Sequence, residues 1–205
     1  LPMLAVERAR RVRESAGVAV SGVVASLSLA VALTIMVASF RHSVTDWLEV
    51  VLPADLYVRT AGSSAAGETA YFSPEFVQAV AAVPGVARVG GLRVTQLLLS
   101  PDQPAVALIA RDMQTPARVL PLVGPALSVP AGAIGIYVSE PMLELYQAKP
   151  GDFFAPLSQA FVTADAPRFF VAGVWRDYAR QFGAIAIDQR DFVRLTGDRR
   201  VNDLA

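Results

Sequence analysis

The sequence AGVAVSGVVASLSLAVALTIMVASF, from Ala16 to Phe40, runs for 25 residues without a charged side chain. A helix needs about 20 apolar residues to cross the roughly 30 Å hydrocarbon core of a bilayer, and signal-peptide apolar regions are shorter, about 7 to 15 residues. We therefore predict a transmembrane helix over residues 16–40. Two alternatives stay open: a core helix of a larger soluble protein, and a secretory signal peptide cleaved near Val37-Ala38-Ser39.

Basic residues flank this span unequally. Arg8, Arg10, Arg11 and Arg13 precede it, whereas Arg41 is the only Lys or Arg close behind it. Lys and Arg are retained on the cytoplasmic side of bacterial membranes. The sequence therefore predicts a cytoplasmic N-terminus, with residues 1–15 as a basic helix inside the cell or on the membrane surface and the remainder of the chain outside.

Small residues recur every four positions inside the span. Gly17, Ser21 and Ala25 form one such series, and Gly22 and Ser26 form another. Such a face lets a second membrane helix approach closely, so we predict helix packing there. The alternative is that Gly, Ala and Ser are simply frequent in membrane helices.

The helical pattern continues past the span. Arg41 is followed by Val44, Trp47 and Leu48 at helical spacing, and Pro53 is the first residue that cannot continue a helix. We predict a helical stalk over residues 41–52 that couples motions on its two sides.

Residues 53–205 alternate strand-like and helix-like segments, which predicts an α+β domain. Ser73-Pro74-Glu75, Ser139-Glu140-Pro141 and Asp188 each have the composition of a helix N-terminus. Residues 61–69, rich in Ala, Ser and Gly, predict a loop, and residues 116–130 a loop with one helical turn. The predicted strands are 54–60, 86–100, 105–110, 134–138, 153–157, 160–164, 168–175 and 184–187, and the predicted helices are 73–83, with Phe76, Val77, Val80 and Ala81 buried, 142–148 and 188–196.

Composition argues against several classes of function. The formal net charge is +0, with 18 basic and 18 acidic residues, so no nucleic-acid partner is expected. The chain has no cysteine, and its one histidine, His42, directly follows the membrane span. Nucleophile-elbow, zinc-protease and phosphate-loop motifs are lacking. The carboxylates Asp177, Asp188 and Asp191 are predicted to be surface or capping groups, and we expect no catalytic, metal-binding or cofactor-binding residues.

The order of these parts resembles the FtsX-like/MacB-like family of ABC-transporter permeases, in which a transmembrane helix leads into a MacB-type periplasmic core domain. The resemblance lies in four segments, and within them Ser139-Glu140, Gly151-Asp152 and Val171-Ala172-Gly173-Val174 occupy the places of the family's motifs. The segments are SLSLAVALTIMVASFRHSVTDWL (26–48), PADLYVR (53–59), IYVSEPMLELYQAKPGDFFAPL (136–157) and FFVAGVWRDYARQFGAIAIDQRDF (169–192).

The resemblance implies a bacterial inner-membrane subunit that does no chemistry. It would pair with a second permease half or a second copy, contact membrane lipid, and bind a cytoplasmic ATPase that alone holds ATP. It would convert ATP hydrolysis into export or extraction of a hydrophobic, lipid-like or lipoprotein cargo. Family members need further membrane segments, so we expect these 205 residues to belong to a longer polypeptide. The alternative is a signal-transmitting module that recruits an extracytoplasmic partner such as a cell-wall hydrolase, or a membrane-anchored sensor.

Overall fold

The structure is a computed structural model that describes residues 2–60, 70–161 and 166–205, without the side chains of 2, 9–11 and 13–16. The predicted loop 61–69 and most of the predicted strand 160–164 lie outside the described residues. The chain divides into two compact units, Leu1–Glu49 and Val50–Ala205, and each is described by itself.

The first unit is helical. Helix α1 covers Pro2–Arg11 and helix α2 covers Arg13–Val51, with Val12 in a turn between them. The predicted helix over residues 1–15 is thus interrupted at Val12. Helix α2 runs through the predicted span and the predicted stalk without a break and ends two residues before Pro53. At 1.5 Å per residue it is about 58 Å long, and its stretch Gly17–Val51 is long and apolar enough to cross a membrane.

The second unit is built on one mixed sheet, which confirms the predicted α+β class: an apolar N-terminal helix is followed by an α/β sheet domain. Strands β3 and β6 are parallel, as are β4 and β5, and the other neighbouring pairs are antiparallel. In the described residues the sheet order is β1-β7-β2-β3-β6-β4-β5. The strands are β1 (Val58–Arg59), β2 (Gly91–Leu97), β3 (Val106–Arg111), β4 (Ile134–Ser139), β5 (Phe169–Trp175), β6 (Ala184–Asp188) and β7 (Asp203–Leu204), and the helices are α3 (Pro74–Ala81), α4 (Pro116–Val119), α5 (Glu140–Leu145), α6 (Ala155–Ala160) and α7 (Gln189–Thr196).

The sheet separates two apolar layers. On one face, side chains of β3 to β6 pack with Met142 of α5, Leu157 of α6 and Phe192 of α7. On the other face they pack under Met113 and Leu120, which belong to the connection between β3 and β4. Because successive strand residues point to opposite faces, β3 places Val106, Leu108 and Ala110 in the first layer and Ala107 and Ile109 in the second.

Local sequence signals are confirmed where they were strongest. Ser73 Oγ accepts a 3.3 Å hydrogen bond from the Phe76 amide at the start of α3, and Asp188 Oδ1 accepts one of 2.8 Å from the Arg190 amide at the start of α7. The strands β2 and β3 form the predicted hairpin. The predicted helical turn in residues 116–130 is α4, and β4 and β6 lie at the predicted positions.

Three predictions are wrong, and a fourth, the strand 54–60, is only partly right. The apolar face of α3 is not buried, and Phe76 is 44% exposed, because α3 is not packed into either apolar layer. Residues 153–157 do not form a strand; α6 begins at Ala155 because Phe154 and Leu157 are drawn into the first apolar layer. Ser139 does not cap α5 with its side chain, since its buried hydroxyl accepts a 2.8 Å hydrogen bond from the Ala184 amide instead. The predicted strand 54–60 shrinks to Val58–Arg59.

Candidate functional site

Three hydroxyl side chains in the uncharged part of α2 form hydrogen bonds within the helix itself. Ser21, Ser26 and Thr34 donate hydrogen bonds of 2.9, 2.8 and 2.8 Å to the carbonyl oxygens of Val18, Gly22 and Ala30. In hydrocarbon, an unpaired polar group costs several kcal/mol of free energy. Hydrogen bonds within the helix avoid this cost. These side chains are therefore compatible with a lipid environment.

The residues predicted to pack against another helix all lie on the exposed surface of α2. They are Gly17, Ser21, Gly22, Ala25 and Ser26. A Cβ atom added at Gly17 or at Gly22 would meet no atom within 4 Å. Among the described residues of the helical unit the face is thus open, and its role in packing stays a prediction.

The predicted stalk residues follow on the same helix. Arg41 and Leu48 are exposed, and Val44 and Trp47 are partly buried. Thr45 donates a 2.9 Å hydrogen bond to the Arg41 carbonyl, and His42 Nε2 lies 3.4 Å from Asp46 Oδ2 one turn later. These contacts are all local to the helix, so they support an unbroken rod through this segment.

In the second unit, the first and last strands lie side by side. Strand β7 is hydrogen-bonded between β1 and β2, with Val58 opposite Leu204 and Gly91 opposite Leu204 on the other side. Arg59 grips Asp203 through two hydrogen bonds of 2.8 and 3.2 Å. Strand β1, the first strand after α2, is therefore bonded directly to β7 by backbone pairing and by the Arg59–Asp203 contact.

A second group of polar side chains connects β2 to the residues before β7. Together with Arg59 and Asp203 it forms what we call the terminal clamp, which consists of Arg59, Arg93, Asp198, Arg200, Asn202 and Asp203. Arg93 contacts Asp198 at 3.0 Å and Asn202 Oδ1 at 2.9 Å. Asn202, which is 3% exposed, also accepts a 2.9 Å hydrogen bond from the Val94 amide. Arg200 contacts Asp198 Oδ1 at 2.7 Å. The Arg93 and Asp198 side chains are mostly shielded, at 11% and 14% exposed, so this pair holds a fixed geometry.

The terminal clamp was not predicted from the sequence, because its members are up to 144 residues apart. Side chains separated in this way leave no spacing pattern. The short run Asp198-Arg199-Arg200 was the one local signal. It contains one bonded pair of the network, Asp198 and Arg200.

The three carboxylates predicted to be surface or capping groups are each engaged with a nearby group, and the prediction is wrong for Asp177, because its side chain is fully buried. Asp177 contacts Arg180 at 3.0 Å, and Asp191 contacts Arg194 at 2.7 Å. Asp188 accepts hydrogen bonds from the Met113 and Arg190 amides, so it both caps α7 and ties the chain after β3 to it. Among the described residues no cluster of three or more His, Cys, Asp or Glu could hold a metal ion.

We expect acid to weaken the terminal clamp. The hydrogen bond from Arg200, aided by Arg93, lowers the pKa of Asp198 from 3.8 to about 2. A carboxyl whose pKa is lower in the folded state stabilises the protein above pH 4, and this contribution is lost as the pH falls from about 4 to about 2. Its size is about 1–2 kcal/mol after allowance for solvent.

The measurement is the thermal unfolding of the full chain in detergent at pH 6 and pH 3, beside Asp198→Asn. The wild type should lose more stability than the variant over this range. An equal loss in both proteins would contradict the assigned role of Asp198.

No protein-family model matches the chain, and no curated protein matches it. Solved structures that are similar include the extracellular domain of the noncanonic ABC-type transporter YknZ from Gram-positive bacteria. It is 14% identical with a TM-score of 0.45, and the match covers 73% of this chain and 79% of that one. Another is the periplasmic region of MacB from Actinobacillus actinomycetemcomitans, 13% identical with a TM-score of 0.41, covering 62% of this chain and 60% of that one.

These two solved structures are thus an extracellular domain and a periplasmic region, of YknZ and MacB respectively.

Proposed function

We propose that the chain is the membrane and extracytoplasmic part of an ABC-transporter permease of the FtsX/MacB type. It couples a separate cytoplasmic ATPase to the export or extraction of a hydrophobic, lipid-like or lipoprotein cargo. The observation that carries the proposal is the unbroken helix α2, Arg13–Val51, which holds an uncharged span and continues beyond it. A continuous helix is stiff over this length, so displacement at one end is passed to the other.

The proposed orientation places the N-terminus in the cytoplasm and the sheet domain outside. It is supported by the four arginines at positions 8, 10, 11 and 13, against one, Arg41, beyond the span. The cytoplasmic side then offers a basic segment to the ATPase, while the sheet domain is available to cargo. In this role the chain holds no nucleotide itself.

The intact polypeptide, purified from its host membrane in mild detergent, tests the proposal. We expect an ATPase with a phosphate-binding loop to co-purify together with bound lipid or lipoprotein. Recovery of a cell-wall hydrolase with no transported cargo would favour the recruitment module instead. A kinase or cyclase as the only associated activity would contradict both.

We also propose that Gly17, Ser21 and Ala25 face the second permease half or a second copy. Their exposure and the open space beside Gly17 support this. Single cysteines placed at successive positions from 17 to 28 in the full polypeptide should crosslink with a period of three to four residues, strongest on this face. Uniform crosslinking, or none at any position, would contradict helix packing there.

A further inference from the structure

The face of the sheet that carries the second apolar layer also carries a partly buried arginine. Arg111 is the last residue of β3, and alternation along the strand places it on the same face as Ala107 and Ile109. Its guanidinium group has no hydrogen-bond or ion-pair partner among the described residues. A buried charge is normally paired, because it loses hydration that only a partner replaces. Arg111 is therefore available to an anion from outside the chain.

The carboxylates closest to Arg111 in the chain and in the sheet are bonded to other groups. Asp112 is exposed and accepts hydrogen bonds of 3.1 and 3.4 Å from the backbone amide and the side chain of Gln114. Asp188 lies opposite Arg111 in the β3–β6 pair, but its carboxylate accepts hydrogen bonds from two backbone amides. Neither carboxylate forms an ion pair with Arg111.

A second guanidinium group, that of Arg180, acts on Arg111. Burial is the main reason why the pKa of Arg111 is lowered. Tyr57 and Asp112 act in the opposite direction, and the charge of Arg180 lowers this pKa further. Arg180 contacts Asp177, whose side chain is fully buried, at 3.0 Å. One of these two neighbouring arginines therefore has a carboxylate partner, and Arg111 has none.

A cavity of about 310 Å³ lies over β3 beside Arg180. Its lining includes Ala107 of β3, Gln96, which is directly opposite Ala107 in β2, and Gln181. Within the described part of the chain, neither glutamine side chain forms a hydrogen bond. Phe182 also lines the cavity and is 60% exposed. The cavity thus combines a cation, two amide groups and an apolar ring.

The connection between β5 and β6, residues 176–183, holds this lining in place. The Asp177 carboxylate accepts a 2.9 Å hydrogen bond from the Ala179 amide and a 3.0 Å hydrogen bond from Arg180. At the other end of the connection, the Gly183 carbonyl accepts a 3.2 Å hydrogen bond from the Ala107 amide. Groups that are already ordered lose little entropy when a ligand binds.

We propose that this cavity binds a small organic carboxylate whose apolar part lies against Phe182. Arg180 bonds to Asp177 through one of its five N–H donors, so further donors remain for the ligand. Gln96 and Gln181 add amide donors, and the charge of Arg111 favours an anion on this face.

The charge and the volume of the site define the ligand more closely. A guanidinium group matches a carboxylate in geometry and in charge. Because only one of the two arginines lacks a carboxylate partner, a singly charged anion is favoured over a multiply charged one. A water molecule takes about 30 Å³ of liquid, so the cavity corresponds to a ligand of about ten non-hydrogen atoms.

The test compares an aromatic carboxylate, 3-phenylpropionate, with its neutral isostere, 3-phenylpropanamide. The full chain in phosphatidylcholine nanodiscs is titrated with each compound, binding is followed by saturation-transfer NMR, and the signal from empty nanodiscs is subtracted. We expect the carboxylate to bind about tenfold more tightly than the amide, and less tightly as salt is added. This inference goes beyond the transport role and does not depend on it, so its failure would leave the proposed function unaffected.

Three variants complete the test. Arg111→Gln should weaken binding about threefold to tenfold without lowering the stability of the free protein, because it breaks no hydrogen bond or ion pair among the described residues. Arg190→Gln removes the same charge from an exposed position on α7, which packs on the opposite face of the sheet, and should leave binding unchanged. Phe182→Ala, also at an exposed position, should weaken binding of the aromatic probe.

Three outcomes would overturn the proposal. The first is that no binding exceeds that of empty nanodiscs. The second is that 3-phenylpropanamide or inorganic phosphate binds as tightly as 3-phenylpropionate, which would remove the need for a carboxylate or for an apolar group. The third is that Arg111→Gln and Arg190→Gln have equal effects.

Discussion

Insertion of Gly-Pro after Val44 is expected to abolish ATP-driven function of the intact polypeptide while leaving its ATPase bound. The insertion falls inside the uninterrupted helix α2, four residues past the predicted span. Proline removes a helical hydrogen bond and costs about 3 kcal/mol, and glycine adds about 1 kcal/mol. A hinge at this point would absorb displacement that the rod otherwise passes on.

Complementation of a strain lacking the gene, together with ATPase co-purification, measures the two effects separately. The matched control is an insertion of seven alanines at the same place, which adds about two helical turns and nearly preserves the phase of the helix. It should retain substantial function. Full complementation by the Gly-Pro insertion would contradict force transmission through residues 41–52.

Gly183→Ala is expected to give the largest loss of stability among single substitutions to alanine at the glycines. Gly183 has φ +95°, which residues with a Cβ rarely adopt, and an added Cβ would lie 2.5 Å from Met142 Sδ. Met142 is fully buried under the sheet, so it has little room to move away. Backbone strain and overpacking together cost about 2–5 kcal/mol.

Chemical denaturation of the full chain, followed by tryptophan fluorescence, measures this loss. Gly197→Ala is the control, because Gly197 has φ +70° at the end of α7 but nothing within 4 Å of an added Cβ. It should cost only about 1–2 kcal/mol. Equal effects at the two positions would show that the contact with Met142 contributes nothing.

The elements that could be predicted from the sequence are those whose determinants are adjacent in the chain. The uncharged stretch specifies α2, a hydroxyl and a proline specify the start of α3, and Asp188 specifies the start of α7. The hairpin of β2 and β3 is likewise predicted by two apolar segments around a proline-containing turn. Each of these depends on interactions within a few residues.

The elements that were missed depend on distant partners. Strand β7 has two residues and exists because β1 and β2 hold it on both sides. Ser139 resembles a cap, yet its hydroxyl serves an amide 45 residues away. The candidate residues of α2 were visible in the sequence, while the terminal clamp was not.

The pairing of β1 with β7 also makes the sheet domain portable. Hydrogen-bonded strands lie about 4.8 Å apart, so the backbone arrives at and departs from the domain at almost the same point. A surface loop of an unrelated host would need little widening to accept residues 58–204 as an insert, and the two ends could be joined by a few residues with new termini opened elsewhere. Such transplants and circular permutants would carry the hairpin and the buried layers into water-soluble hosts.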